Sequence, residues 1–352
     1  MQIYKKCFTF VLVLLMVFVL LNALIWKNFT ENMLSSTNYQ GGDLARMGYI
    51  HRSMDLRKNI CDLSVRHLEL SEYTGQKIDV LTMGDSFSNI GGGGRNRYYQ
   101  DYIATINNTT VLNLAPYKEI DNISVLSIYA NNGYLDKIKP KYIILECVER
   151  MCIKTLAHAA DFTAAITVTE MDKQKKVEYN NKLPEVSLIN QGNFKFLLYS
   201  LLYNFSDHAF LSKVCIKDLS RPLFSVKNAK KLVFLRDDIS NIPLTTTKSV
   251  TVLNDNINAL SDKLRAKGIK LYFMPCVDKY DLYSGYIIHN QYPASTFFEQ
   301  LRKLPKRYEF IDTKAILAEE LKKGEKDVFY ADDTHWSWKA SERIFKGIVF
   351  HH

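Results

Sequence analysis

Glycine, aspartate and serine stand at positions 84, 85 and 86, directly after the apolar run 78–83 and before a glycine-rich stretch, Gly91 to Gly94. In an α/β sheet the working residues sit at the carboxyl ends of strands, facing the crevice where ligands bind. A serine on such a turn can present its hydroxyl to a substrate while its own N–H helps to hold an oxyanion. Gly-Asp-Ser is also a combination found in ordinary turns. A serine hydroxyl is nearly inert at neutral pH, so nucleophilic chemistry needs a base within hydrogen-bond reach and a third group to orient it. Near the other end of the chain stands Tyr330-Ala331-Asp332-Asp333-Thr334-His335-Trp336. Among the other histidines only His208, after Asp207, has a carboxylate so close before it. The residues therefore predict Ser86 as nucleophile, His335 as its base and Asp333 as the orienter of that base, with Asp332 as the alternative orienter.

Residues so far apart in sequence need a frame to bring them together. Short apolar strands are expected at 78–83, 111–114, 142–145 and 269–274, and helices at 98–106, 120–131 and 250–266, the last ended by Gly268. Another helix begins at Asp312 or Thr313 and stops at Gly324. This alternation predicts an α/β fold, a parallel sheet covered by helices on both faces. From 151 to about 243 the pattern breaks, with a charged stretch at 172–176 and an aromatic amphipathic helix from Phe194 to Phe205, so that region reads as an insertion. The catalytic domain is expected over 76–352, and the polar segment 27–75 reads as a stalk and lead-in.

Ahead of it, Lys5 and Lys6 precede an uncharged run from Cys7 to Trp26. Twenty such residues can span a bilayer as a helix. Leu21-Asn22-Ala23 makes a poor cleavage site, so an uncleaved signal anchor is favoured over a removed signal peptide. The two lysines predict a cytoplasmic tail, 1–6, and an extracytoplasmic remainder in a single-pass membrane protein. The net charge of +9 would draw the protein to anionic lipid or to an acidic polysaccharide. No nucleic-acid-binding motif accompanies that charge. Cysteines at 7, 61, 147, 152, 215 and 276 show no C-x-x-C pair, which predicts buried small hydrophobes and no metal site. No cofactor is expected. Gly91 to Gly94 either supply further N–H donors near Ser86 or form a flexible turn; without a following Gly-Lys-Ser/Thr they are no phosphate loop. Asp278, Lys279 and Tyr280 follow a strand end, and either line the crevice or form a charged loop with no role.

Gly84-Asp85-Ser86 at the front of the domain and Asp-x-His near its end resemble the SGNH (GDSL) hydrolase superfamily, over roughly 77–350 and interrupted by the insertion. Three stretches are more narrowly similar to the SGNH-like group related to the alginate O-acetyltransferases. They are Gly268 to Pro275 leading to Asp278-Lys279-Tyr280, then Glu146 to Arg150, and Asp333 to Ser337. The resemblance implies a flavodoxin-like sheet and transfer of an acetyl group to a polysaccharide acceptor, with a polytopic membrane acyltransferase as the source of the acyl group. Three departures stand out. In the alginate enzymes the Asp-x-His precedes the serine, whereas here Ser86 comes first, as in ordinary SGNH hydrolases. The oxyanion asparagine of those hydrolases is missing, and Arg150 sits near its place; it either holds an oxyanion or an acidic sugar, or pairs with Glu146 or Glu149. Asn113-Leu114-Ala115-Pro116 replaces the usual glycine after the second strand. Trp336, beside the base, is a sugar-stacking platform or a buried anchor for the last helix. The rivals to acyl transfer are hydrolysis through the same acyl-serine and a non-catalytic polysaccharide-binding scaffold.

Overall fold

The computed structural model describes residues 2–34, 41–50, 63–92, 96–167 and 187–350, together with positions 170, 173 and 176. Helix α1 (Gln2–Ile25) runs on through a π turn at Trp26–Thr30 into α2 (Glu31–Leu34), and α3 (Asp43–Gly48) follows. The continuous stretch Gln2–Thr30 is, among the described residues, the helix long and apolar enough to cross a membrane, and it is longer than the 7–26 expected from the sequence. It suits a single span or a signal anchor.

The α/β body then begins with β1 (Leu68–Glu69), β2 (Val80–Met83), α4 (Ser86–Asn89), α5 (Tyr99–Asn107), β3 (Val111–Leu114), α6 (Asn122–Asn131), α7 (Tyr134–Ile138), β4 (Tyr142–Val148) and α8 (Glu149–Leu156). The region expected as an insertion holds α9 (Gln191–Leu202), the strands β5 (Val214–Asp218) and β6 (Lys231–Leu235), and α10 (Asp237–Ser240). The chain closes with α11 (Thr247–Arg265), β7 (Lys270–Cys276), α12 (Lys279–Tyr283), α13 (Phe297–Lys303), β8 (Glu309–Phe310), α14 (Thr313–Lys322) and α15 (Trp338–Lys346).

Six strands form one sheet in the order β1-β3-β2-β4-β7-β8, and every neighbouring pair is parallel. Without the short edge strand β1, this is the order of flavodoxin-like doubly wound sheets. Strands β2 and β3 are buried along their whole length, as a sheet covered on both faces requires. The helices fall into two packed groups, α11 against α6, α8 and α13, and α15 against α5 and α14. In register, Val80 lies between Val111 and Tyr142, and Met83 between Leu114 and Leu145. Strands β4 and β7 continue to Val148 and Cys276. Strand β2 therefore ends early and leaves a notch at its carboxyl end, where the chain turns into Ser86.

The pairing of β5 with β6 is antiparallel and separate from the main sheet. Leu44 of α3 packs with Val214, Val233 and Leu235 of that hairpin in a small second core. Of the segment expected as stalk and lead-in, residues 41–50 are thus packed onto the domain, and Leu68–Glu69 joins its sheet. Cys147, Cys152, Cys215 and Cys276 are buried thiols, while Cys61 lies outside the described residues.

Candidate active site

Ser86 is the first residue of α4, immediately past β2. Its turn is fixed from below. The Asp85 carboxylate accepts from the Phe87 N–H at 3.1 Å and, with its other oxygen, from the Val148 N–H at 2.7 Å, which ties the turn to the end of β4. Glu146, fully buried on β4, accepts from the Asp85 N–H at 3.0 Å and the Ser88 hydroxyl at 2.7 Å. Burial, and then the nearby Asp85 charge, push the Glu146 carboxyl well above its ordinary pKa. Gly84 is required by this close approach, because a Cβ there would stand 2.1 Å from a Glu146 carboxylate oxygen. The Ser86 N–H, at the first turn of α4, has no acceptor among the described residues and is free to donate.

His335 comes from the loop between Val328 and α15. Its Nε2 lies 2.9 Å from the Ser86 Oγ, and its Nδ1 lies 2.7 Å from an Asp333 carboxylate oxygen that also accepts the His335 N–H at 2.9 Å. With Nδ1 as donor, Nε2 is left to accept the Ser86 proton. Phe87 fills the remaining side, its ring 4.7 Å from the imidazole and 4.8 Å from Trp336. Burial works against the imidazolium, but the charge and hydrogen bond of Asp333, with Asp43 adding to them, outweigh it, and the His335 pKa is raised. Ser86 remains partly exposed while His335 is 4 % exposed, so a reagent reaches the hydroxyl before the base.

The structure thus brings Ser86, His335 and Asp333 together, and it places Asp333, not Asp332, on the imidazole. Asp332 instead accepts from the Gly42 N–H at 2.7 Å.

One participant was not found in the sequence. Asp43 opens α3 and accepts from the Thr334 N–H at 2.8 Å and from the Thr334 hydroxyl, while its own N–H donates to Asp333 at 3.2 Å. One of its oxygens lies 4.0 Å from the His335 Nδ1. The ligand atoms of Asp43, Asp333 and His335 cluster within 4.8 Å, but the Thr334 and His335 donors already engage these carboxylates.

The other expected site residues take different places. Arg150 is held by Asp278 at 2.5 Å and approached by Asp238 at 3.5 Å, not by Glu146 or Glu149. Asp278, lying across the ends of β4 and β7, is the nearer carboxylate. Glu149 is occupied in its turn by the Asp278 N–H and the Ser295 hydroxyl. The guanidinium is thus committed to a buried pair, and its expected oxyanion role is not what this geometry provides. Asp278, 2 % exposed, does not line an open crevice either.

Gly91 has φ of 59°, and its N–H donates to the Ser86 carbonyl at 2.9 Å, so it closes the α4 turn and is not a spare donor. Gly93 and Gly94 lie outside the described residues. Trp336 is 4 % exposed against Phe87 and is an anchor, not a platform, because no open ring face remains for a sugar.

Lys279 is buried and donates to the carbonyls of Tyr330, Ala331 and Asp333 at 2.7, 3.0 and 3.0 Å. It therefore clamps the loop that carries the base and does not face substrate. Burial lowers its pKa to about 8 despite the surrounding aspartates, yet three accepting carbonyls need all three N–H groups of the ammonium. Lys279→Met is expected to leave those buried carbonyls unsatisfied and to cost about 3 kcal/mol or more in denaturant unfolding.

A cleft of about 580 Å³ adjoins the turn at Gly84 and Asp85 and is walled by Tyr117, Lys118, Lys154 and His158. It lies beyond the carboxyl ends of β2, β3 and β4. No family model and no curated protein matches the sequence.

Proposed function

We propose that this protein is a membrane-anchored serine acyltransferase of the SGNH type, which moves an acyl group, acetyl being the expected one, onto hydroxyls of a cell-surface or secreted polysaccharide. The observation that carries this reading is the unbroken chain from the Ser86 hydroxyl at 2.9 Å through His335 to Asp333 at 2.7 Å. In that arrangement His335 takes the hydroxyl proton as Ser86 Oγ attacks an acyl carbonyl, and the Ser86 N–H donates to the oxyanion. The leaving group departs with the proton from His335, leaving an acyl-serine. A sugar hydroxyl then gives its proton to His335 and attacks the acyl carbon, and Ser86 recovers its proton when the ester product leaves.

Asp333 holds the imidazole in the tautomer both steps need. The cleft beside Gly84 and Asp85, whose wall carries Lys118 and Lys154 together with Glu119, Asp121 and Asn122, offers hydrogen-bonding groups of both signs to a polyhydroxyl acceptor. An N-terminal membrane anchor suits an acyl donor delivered by a polytopic membrane acyltransferase, and the catalytic domain then works on the extracytoplasmic side.

The test is to incubate full-length protein with an activated acetyl ester, with and without oligosaccharides, and to separate acetyl-sugar from free acetate. Acetyl-sugar that requires protein and acceptor supports transfer. Free acetate alone, unchanged by any acceptor, makes the protein an esterase and overturns the transfer reading.

A further inference from the structure

The outward face of α9 carries Phe194, Leu197 and Leu201, which are 68, 52 and 56 % exposed, and the turn after it adds Phe205 at 82 %. Positions 194, 197, 201 and 205 recur at helical spacing and form one apolar stripe. Phe210 and Leu211 extend the apolar surface, and Leu211 holds φ of 68°, a conformation that a bulky residue adopts only at a cost.

The opposite face of α9 is pinned to the far end of α1. The Asn193 amide donates to the Asn22 side chain at 3.0 Å, Asn193 accepts from the Thr30 hydroxyl, and Phe196 stacks on Phe29 with ring centroids 4.7 Å apart. A span of twenty residues starting at Cys7 ends in this same stretch. The stripe therefore lies where the apolar surface of α1 meets the headgroup layer. Lys27, in the π turn that follows α1, and Lys213, near Leu211, are exposed close by, and Lys195 flanks the stripe on α9 itself.

We propose that α9 and the turn that follows it are an interfacial element: they lie in the headgroup region of the bilayer that α1 crosses, and their partner is anionic lipid. Large apolar side chains flanked by lysines are the surface that buries a few ångströms into a membrane boundary. Continuity with α1 selects lipid over a second copy of the chain or another protein. With two attachments instead of one, the domain cannot swing freely on its anchor, and the height of Ser86 above the membrane is restricted.

The test uses full-length protein carrying Cys7→Ala and Cys61→Ala, reconstituted in vesicles of phosphatidylcholine and phosphatidylglycerol, with a nitroxide placed through Leu14→Cys, Leu197→Cys, Phe205→Cys or Ala266→Cys, the last exposed at the end of α11. Labels at 197 and 205 should collide with dissolved oxygen in preference to a water-soluble nickel chelate, as at 14, while 266 shows the reverse. Labels at 197 and 205 that behave like 266 overturn the proposal while leaving α1 in the membrane. Low access to both reagents, as beneath a protein partner or a second copy, overturns it as well. A label at 14 that meets the chelate removes the bilayer span on which the proposal rests.

Discussion

Ser86→Ala is expected to reduce acyl transfer and acyl-ester cleavage together, lowering kcat/KM by roughly four orders of magnitude or more. The hydroxyl removed is the one within 2.9 Å of the His335 Nε2, and no acyl-serine forms without it. The substitution should leave stability nearly unchanged, because Ser86 is partly exposed and its side chain holds no other element in place. Ser88→Ala makes the informative contrast. The Ser88 hydroxyl is buried between Tyr99 at 2.9 Å and Glu146 at 2.7 Å, so its loss strips partners from a buried network. That variant should lose about 1–3 kcal/mol in denaturant unfolding while retaining the acylating hydroxyl. Mass spectrometry of the protein after exposure to an activated acetyl ester should show an added acetyl group on Ser86 in the parent and in Ser88→Ala, and none in Ser86→Ala. An acetyl group found instead on another residue, with turnover intact in Ser86→Ala, ends the assignment.

Much of this geometry was readable from local signals. A strand of buried residues followed by Gly84-Asp85-Ser86 is a complete local statement, since strand, turn and side chain lie within seven positions. Asp333 and His335 are similarly local, two residues apart on one loop. What the sequence did not show are the partners that only tertiary structure supplies. Asp43 meets Thr334 across 291 positions, and it lies in a polar segment that reads as a tether. Lys279 reads in the sequence as lining a crevice or a charged loop, and Arg150 as an oxyanion or sugar contact or a partner of Glu146 or Glu149, but buried carbonyls claim the first and Asp278 claims the second. Gly91 reads either as a donor near Ser86 or as part of a flexible turn, and its N–H is spent on the Ser86 carbonyl. The hairpin of β5 and β6 escaped notice because its pairing depends on Leu44, far upstream, to cover its apolar face.

Asp333→Asn is expected to lower kcat by roughly 10⁴-fold, because a carboxamide that presents its N–H to Nδ1 favours the wrong tautomer and leaves Nε2 unable to accept the Ser86 proton. Asp332→Asn should cost far less, since Asp332 serves the Gly42 N–H and not the imidazole. A reversal of those two effects would show that the other aspartate orients the base. Asp43 should reveal itself in the pH profile and not in the plateau rate. The base works only when neutral, and its pKa is raised, after the opposing effect of burial, by Asp333 first and Asp43 next. Activity therefore falls as pH drops through a value raised from that of an ordinary histidine. Asp43→Asn removes one of the charges that favour the imidazolium, so His335 gives up its proton at lower pH and the acid limb moves down. At pH 6 the variant should retain a larger fraction of its own plateau activity than the parent, with the plateau changed by about tenfold or less. An acid limb that stays in place or moves up would mean that α3 merely braces the loop and exerts no field on the base.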